Sequence, residues 1–339
     1  MNTEHAHIRI VVDAMGGDFA PRNVVAGAID ALRETNNRFE VLFVGSEHVV
    51  RDELQRAQVD QLSCRIINAP EVIDMNDPAT AALKQKKNSS ISVGMTLHKE
   101  GKADAFVSAG HSGAVMSTST LILGRIEGIG RPTIGAFFPT ETGVCLLLDA
   151  GANVDCKPQH LYEFALMGSI YTHEMFHVEN PTVGLLNIGE ESTKGNDLAK
   201  DTYKLLEQGS MNFIGNVEGR DIFQGKAHVV VCDGFVGNIL LKFAEGVPAF
   251  LQVRMRHYAS KNLLRKLIGL LIRKTMRSVL KSLDYEEHGG VPVLGVNGVS
   301  IIGHGKSTPK AIKNMILKAE EMVRKNINYH IQQALSSAR

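Results

Sequence analysis

Short β-branched or apolar runs alternate with longer stretches of helical spacing from one end of the chain to the other. That is the pattern of a parallel sheet whose strands are joined by crossover helices. The runs predict strands at 8–12, 39–44, 65–68, 105–108, 133–138, 144–148, 182–187, 212–215 and 228–232. Their apolar character implies burial on both faces of the sheet. The fold class is therefore α/β, a mostly parallel sheet with helices on both faces. Ser307-Thr308-Pro309 opens a last helical pattern that continues to about Ala334, with hydroxyl capping groups and a first-turn proline.

Five of these runs end in glycine and small polar residues: Asp13-Ala14-Met15-Gly16-Gly17-Asp18, Ala109-Gly110-His111-Ser112-Gly113, Asp149-Ala150-Gly151-Ala152-Asn153, Gly189-Glu190-Glu191-Ser192-Thr193-Lys194-Gly195-Asn196 and Asp233-Gly234-Phe235-Val236-Gly237-Asn238. In open parallel sheets, ligands lie beyond the carboxyl ends of the strands, where loops enter helix N-termini and backbone N–H groups are unpaired. The five are expected to converge on one anion-binding crevice. Taken singly, each also reads as an ordinary turn, because Gly, Asn and Asp dominate turns.

Composition narrows the class. The 339 residues are 44% hydrophobic and 22% charged, which excludes a disordered, collagen-like or disulfide-stapled chain. With 37 Lys and Arg against 36 Asp and Glu, the net charge of +1 gives no reason to expect nucleic acid as a partner. No repeat or linker divides the chain, so 1–339 is read as a single unit without a legible internal boundary. Cys64, Cys145, Cys156 and Cys232 show no metal or disulfide spacing and suit a reducing cytoplasm. Thr3-Glu4-His5 leads directly into the first strand, leaving no room for a signal peptide, and no apolar run approaches the ~18 residues of a spanning helix. A cytoplasmic location is expected.

One segment departs from the balance. Between 247 and 283 there is no acid, while Arg254, Arg256, Lys261, Arg265, Lys266, Arg273, Lys274, Arg277 and Lys281 are all basic. Leu263, Leu267, Leu270 and Leu271 share one side of a helix, and Lys266, Arg273 and Arg277 form a stripe on another. The region 247–285 therefore reads as a basic amphipathic projection for an anionic membrane surface or an acidic protein, or alternatively as a solvated face that serves a subunit contact.

Other motifs are weaker. His173-Glu174-Met175-Phe176-His177 matches the zinc-hydrolase pattern H-E-x-x-H, with the two imidazoles as ligands and Glu174 as base. On a helical wheel, however, Leu161, Ala165, Gly168 and Met175 set the sheet-packing side and turn both histidines away, and no third ligand is evident. No metal is expected. Gly303-His304-Gly305-Lys306-Ser307-Thr308 resembles a phosphate loop, but Ser300 stands where the first glycine belongs. The glycine fingerprint of a nicotinamide site is missing after the first strand, so no cofactor is expected. A Ser/His/Asp set would meet only in space, and His111-Ser112 is its nearest candidate; the bland reading is that Ser112 caps a helix and His111 bonds locally.

The five glycine turns, together with Ala20-Pro21 and Val154-Asp155-Cys156-Lys157-Pro158, closely resemble the PlsX family, the phosphate acyltransferases of bacterial phospholipid synthesis. The resemblance runs from about Ile8 to the C-terminal helix. It departs at His111-Ser112, where the family has Asn-Thr, and at Glu191-Ser192, where the family has Glu-Glu. It implies transfer of a fatty acyl group from acyl carrier protein to inorganic phosphate, giving acyl phosphate for glycerol-3-phosphate acyltransferase. It also implies a fold like that of isocitrate and isopropylmalate dehydrogenases and of phosphotransacetylase, a homodimer, and peripheral attachment to the membrane by the helical projection. The alternatives are a zinc hydrolase using His173 and His177, or a non-catalytic membrane or acyl-carrier scaffold.

That reaction needs a held phosphate dianion, a nearby acyl chain and donors for the tetrahedral oxyanion. Lys194 is the expected point charge on phosphate, with a surface ion pair to its acidic neighbours as the competing reading. Backbone N–H groups from Gly110 to Gly113 and from Gly234 to Asn238 are the expected donors. Gly16, Gly17, Gly110, Ser112, Gly113, Asn153, Lys157, Gly234 and Gly237 are assigned to phosphate and substrate binding. Asn238 is assigned to catalysis with Lys194, and His111 to carrying a proton to the leaving thiolate. Asp13, Asp18 and Asp233 are expected to orient loops, since a bare carboxylate repels phosphate. The acyl groove is expected along 247–283.

Overall fold

The computed structural model describes residues 7–58, 61–260 and 289–337. Its strands are β1 (Arg9–Asp13), β2 (Glu40–Gly45), β3 (Cys64–Asn68), β4 (Ala105–Ser108), β5 (Thr133–Pro139), β6 (Val144–Leu148), β7 (Val183–Leu186), β8 (Phe213–Val217), β9 (Val229–Val231), β10 (Val291–Leu294) and β11 (Val299–Ile302). Helices α1 (Arg22–Glu34), α2 (Glu47–Arg56), α3 (Ala81–Lys84), α4 (Ser90–Lys99), α5 (Ser112–Thr118), α6 (Pro158–Phe176), α7 (Asp197–Gln208), α8 (Gly219–Gln224) and α9 (Gly234–Ala259) fall between them.

All nine predicted strands form, and they join β10 and β11 in one sheet of order β3-β2-β1-β4-β11-β10-β5-β6-β9-β7-β8. Seven of the ten ladders are parallel. Successive side chains bury on opposite faces, as the two-residue period of a strand requires. Ile10 and Val12 join Val41, Phe43 and Val107 on one side, beneath α1, α6 and the Pro309–Arg324 helix. Val11 joins Leu42 and Phe106 on the other, beneath α3, α4 and α5. In the second half of the sheet, Leu147 and Val230 pack against α8 and the start of α9.

The two strands the pattern did not predict, β10 and β11, join the two halves of the sheet. β10 runs antiparallel to both β11 and β5, and β5 runs antiparallel to β6. The β1–β4–β11 half and the β6–β9–β7 half therefore point in opposite directions. Each of β10 and β11 is only four residues long, and Pro292, which cannot donate to a ladder, sits inside the first.

Three further expectations are corrected. The C-terminal helical pattern is two helices, Pro309–Arg324 and Ile327–Ser337, separated where Asn326 adopts a φ of 49°. Thr308 does cap the first of them, its hydroxyl accepting the Ala311 N–H at 3.3 Å. Helix α6 buries Leu161, Ala165, Gly168 and Met175 as expected, but it ends at Phe176, and His177 has left-handed backbone (φ 57°). The second histidine of H-E-x-x-H is thus off the helix, and the two imidazoles do not share a face. Finally, α9 is long and apolar enough to cross a membrane, by length and composition alone, although isolated charges hide it from a search for unbroken apolar runs.

Candidate active site

The turns after β1, β4 and β11 interlock. Asp13 ends β1 almost fully buried, and its carboxylate accepts the Ser108 hydroxyl at 2.6 Å and the Met15 N–H at 3.1 Å. Burial pushes its pKa up, against the lowering effect of those bonds. The Gly110 N–H donates to Ser108 Oγ at 3.0 Å, and the Asp18 N–H donates to the Gly305 carbonyl at 2.7 Å. A Cβ on Gly16 would lie 2.5 Å from Asp13 Oδ2 and 2.8 Å from Gly110 N, so this glycine is required by the approach of one turn to the next. Gly17 and Gly113 belong to the same group, and Ser112 is exposed at the start of α5.

His111 is placed here as the N-cap of α5. Its Nδ1 accepts the Ala114 N–H at 3.2 Å, and its Nε2 lies 3.0 Å from the Asp77 carbonyl. A nitrogen that accepts from a backbone amide carries no proton, so the Nε2–H donates to Asp77 and both ring nitrogens are engaged. The cap is His111 itself; Ser112 is the first helical residue.

The turns after β6, β9 and β7 form a second group. Asp149, fully buried, is the hub: Oδ1 accepts from Thr133 Oγ1 (3.0 Å) and Ile134 N (3.1 Å), and Oδ2 from Asn153 N (2.6 Å) and Asn153 Nδ2 (3.0 Å). Asn153 Nδ2 also donates to the Pro132 carbonyl at 2.8 Å, so Asn153 is a strut of the turn with both amide protons directed into the protein. The Gly234 N–H donates to the Asn153 carbonyl at 2.7 Å, and a Cβ on Gly237 would overlap the Asp149 carbonyl oxygen. Asp233 caps α9, accepting the Val236 N–H at 2.9 Å. These contacts seat the first turn of α9 against the Asp149 turn, with half-buried Asn238 beside Gly151 (φ 133°). The Asn238 amide has no hydrogen-bond partner among the described residues.

On neighbouring β7, Asn187 braces the following turn by donating to the Lys194 carbonyl (3.1 Å) and accepting from Ile188 N (2.8 Å). Asn216 of β8 donates to the Glu191 carbonyl at 2.8 Å, and Asn196 caps α7. Lys194 is 49% exposed, and the carboxylate beside it, Glu191, is 4.0 Å away, the outer limit of an ion pair. Glu190 pairs instead with Lys226 at 2.6 Å. The positive charge of Lys194 is therefore weakly compensated. Lys157 is exposed at the start of α6, its backbone N–H donating to His160 Nδ1.

The register separates the two groups. Ser108 is level with Ile302, and Ile302 with Val291 at the start of β10. Leu294, at the other end of β10, is level with Thr133, and Leu148 with Gly135 and Val231. Gly16, Gly17, Gly110, Ser112 and Gly113 thus leave one edge of the sheet, whereas Asn153, Lys194, Gly234, Gly237 and Asn238 leave the other. The expected single set of five turns is two sets, because β5, on the far side of β10, again runs with β11, and β6 is antiparallel to β5. Asp149 and Ser108, the hubs of the two sets, carried no role in the sequence reading; the available signal was an acid or hydroxyl closing a fully apolar strand. Leu263, Lys266, Leu267, Leu270, Arg273 and Arg277 lie outside the described residues.

Comparison with known proteins agrees with this architecture. A family model described as "Fatty acid synthesis protein" matches residues 8–330. The phosphate acyltransferase of Chlorobaculum parvum is 48% identical over 340 residues, covering 98% of this chain and all of that protein. The phosphate acyltransferase of Dictyoglomus thermophilum is 48% identical over 331 residues, covering 97% and 98%. Among solved structures, a phosphotransacetylase from Streptococcus pyogenes superposes with a TM-score of 0.61 at 18% identity, covering 94% of each chain. The EutD phosphotransacetylase from Staphylococcus aureus gives 0.59 at 16% identity, with the same coverage. Those two likenesses establish the fold; the near-complete match to the family model and to its relatives shows that the chain belongs to the phosphate acyltransferase (PlsX) family.

Proposed function

We propose that the protein transfers a long-chain fatty acyl group from acyl carrier protein to inorganic phosphate, with the transfer centred on the Lys194–Asn238 group. The observation that carries the placement is the conjunction of an undercompensated Lys194 and an unpartnered Asn238 amide on turns that leave adjacent strands. Lys194 holds the phosphate as a point charge at the positive end of α9, while the N–H groups of Gly234, Val236 and Gly237, expected as donors, are already engaged with Asn153 and Asp233. A phosphate oxygen attacks the thioester carbonyl carbon. The oxyanion that develops is stabilised by donors already in place, Asn238 Nδ2 among them, whose orientation costs no reorganisation during the reaction. The intermediate then breaks its C–S bond, leaving acyl phosphate and a thiolate that takes its proton from solvent. The protein itself forms no covalent bond, and no cofactor is required. In this reading Gly16, Gly17, Gly110, Ser112, Gly113 and His111 hold the opposite edge of the sheet together, and Asn153 and Lys157 support the Asp149 turn and the start of α6.

Acyl phosphate is a high-energy acyl donor, and its proposed consumer is glycerol-3-phosphate acyltransferase at the membrane. The protein is accordingly proposed to be cytoplasmic and peripherally membrane-bound as a homodimer, with the basic projection meeting anionic lipid. Replacing Lys266, Arg273 and Arg277 together by Glu is expected to release it from vesicles containing anionic phospholipid, since each basic residue near such a surface contributes about 1 kcal/mol. Unchanged co-sedimentation would contradict the membrane reading. The catalytic reading is tested by following thioester loss from palmitoyl acyl carrier protein: loss that saturates with inorganic phosphate supports it. A scaffold would show none, and a zinc hydrolase would release fatty acid without phosphate.

A further inference from the structure

Arg38, Arg51, Arg65 and Arg220 each pair with a carboxylate. Arg131 forms no ion pair among the described residues, nor does Lys157, and both are exposed. Two struts fix the segment that carries Arg131. Glu163 of α6, itself buried, accepts the Gly130 N–H at 2.7 Å, and Asn153 Nδ2 donates to the Pro132 carbonyl at 2.8 Å. The backbone of Arg131 is therefore held from both sides while its side chain remains exposed. Lys157 is held in the same way, its N–H and carbonyl closing the start of α6 on His160.

The two cations share one neighbourhood although they come from different segments. The pKa of His160, in the first turn of α6, is pushed down by burial and then by Arg131 and Lys157, both of which act on the same imidazole. The acid beside them on α6, Glu163, is turned inward onto backbone, and Asp155 is the exposed carboxylate on the turn that leads to Lys157. Leu148 is level with Gly135 on one neighbour and with Val231 on the other, so the segment before β5, the Asp149 turn and the start of α9 emerge side by side. Arg131 thus borders the Lys194–Asn238 centre on the β5 side. Two strand spacings, about 10 Å, separate β5 from β9.

We propose that Arg131 and Lys157 form the docking site for an acidic protein surface, that of the carrier which delivers the acyl thioester. The donor itself belongs to the transfer reading above, on which this rests; the docking place, beside β5 and apart from the basic projection at 247–285, is new. Charge complementarity selects the occupant. Exposed cations gain little from one small anion in water, because each is well solvated and screened. A surface carrying several carboxylates gains over the whole patch, and chiefly in association rate and orientation. A fixed backbone beneath both cations keeps the patch in one arrangement, so a carrier seated there presents its thioester toward Asn238 from a constant direction.

The test is Arg131→Glu, assayed with palmitoyl acyl carrier protein and phosphate varied in turn. The side chain is exposed and its strands and struts are backbone-made, so the fold should be unaffected. At low salt the KM for the carrier is expected to rise by at least ~5-fold, with kcat and the KM for phosphate within about twofold of wild type. The gap should narrow at about 0.15 M ionic strength, where charges are screened beyond about 8 Å. Lys157→Glu should raise the carrier KM in the same direction. A raised KM for phosphate would make Arg131 a phosphate ligand and overturn the docking site. An unchanged carrier KM would overturn it too, as would a carrier KM that responds to Glu at Lys266, Arg273 and Arg277 but not at Arg131. If wild type does not consume the carrier thioester with phosphate, the transfer reading itself fails. Docking is then judged by the fluorescence anisotropy of labelled holo acyl carrier protein, which wild type must bind at least ~5-fold more tightly than Arg131→Glu at low salt; equal binding, or none, overturns it.

Discussion

Replacing Lys194 by Ala lowers phosphate-dependent acyl transfer by about 10²–10³-fold, the usual loss when one preorganised electrostatic contact to a developing charge is removed. The fold should not register the change. Lys194 is half exposed, its ion pair to Glu191 is 4.0 Å long, and its turn is held by Asn187 and Asn216 through backbone atoms that the substitution leaves in place. Stability should therefore stay within about 0.5 kcal/mol of wild type, as at other surface positions. Lys194→Arg should recover little, because a planar fork does not reproduce a compact point charge on a short turn. Steady-state kinetics with phosphate as the varied substrate checks this: the loss should appear as a raised KM for phosphate together with a lowered kcat. Turnover within about threefold of wild type would remove Lys194 from the mechanism.

The largest structural effect is expected at Asp149. Its two carboxylate oxygens accept four hydrogen bonds without contact with water, tying the start of β5 to the turn that seats α9. Asp149→Ala leaves Ile134 N, Asn153 N, Asn153 Nδ2 and Thr133 Oγ1 short of an acceptor in a buried site. Each unsatisfied group costs about 1–3 kcal/mol, so a total loss of at least ~3 kcal/mol is expected in urea unfolding. Set against a typical domain stability of about 5–15 kcal/mol, that is a large fraction. Asp149→Asn keeps the volume but turns an N–H toward donors, and should fall between wild type and Ala. A midpoint shift equivalent to less than about 1 kcal/mol for Ala would show that Asp149 does not organise the turn.

The sequence made the layers of this protein readable because a strand buried on both faces has few ways to be written. Runs such as Ile10-Val11-Val12 and Leu146-Leu147-Leu148 contain no polar position and are strands, and the less pure runs at 65–68 and 212–215 are the partly exposed edge strands β3 and β8. Strand order and direction are different, since pairing is set by contacts between residues far apart in the chain. β10 and β11 lie between β5 and β4, more than 150 residues from either neighbour in the chain, and the antiparallel step from β5 to β6 beyond them divides the glycine turns into two sets. A local signal for them did exist: Asn297-Gly298 between two short apolar runs is a strong hairpin signature. Pro292 and the flanking glycines weakened it.

The same distinction applies to the site. Glycine turns at strand ends were legible as turns, and Lys194 as a lone cation among them. Which groups each turn would engage was not legible, because that depends on distances of tenths of an ångström. Asn153 was assigned to the ligand from its residue type, yet both its amide protons point to Pro132 and Asp149. His111 was assigned to proton transfer, yet Asp77 and Ala114 occupy its two nitrogens. The H-E-x-x-H spacing suggested a helical pair, and the left-handed turn at His177 separates it.

The central claim, that inorganic phosphate is the acyl acceptor at this site, is tested most directly by incubating purified protein with palmitoyl acyl carrier protein and phosphate in the presence of hydroxylamine. An acyl phosphate formed on the enzyme will be captured as palmitoyl hydroxamate, in an amount that rises with phosphate and is lost in Lys194→Ala. Hydroxamate formed no faster than in protein-free controls, or free palmitate released equally with and without phosphate, would contradict it.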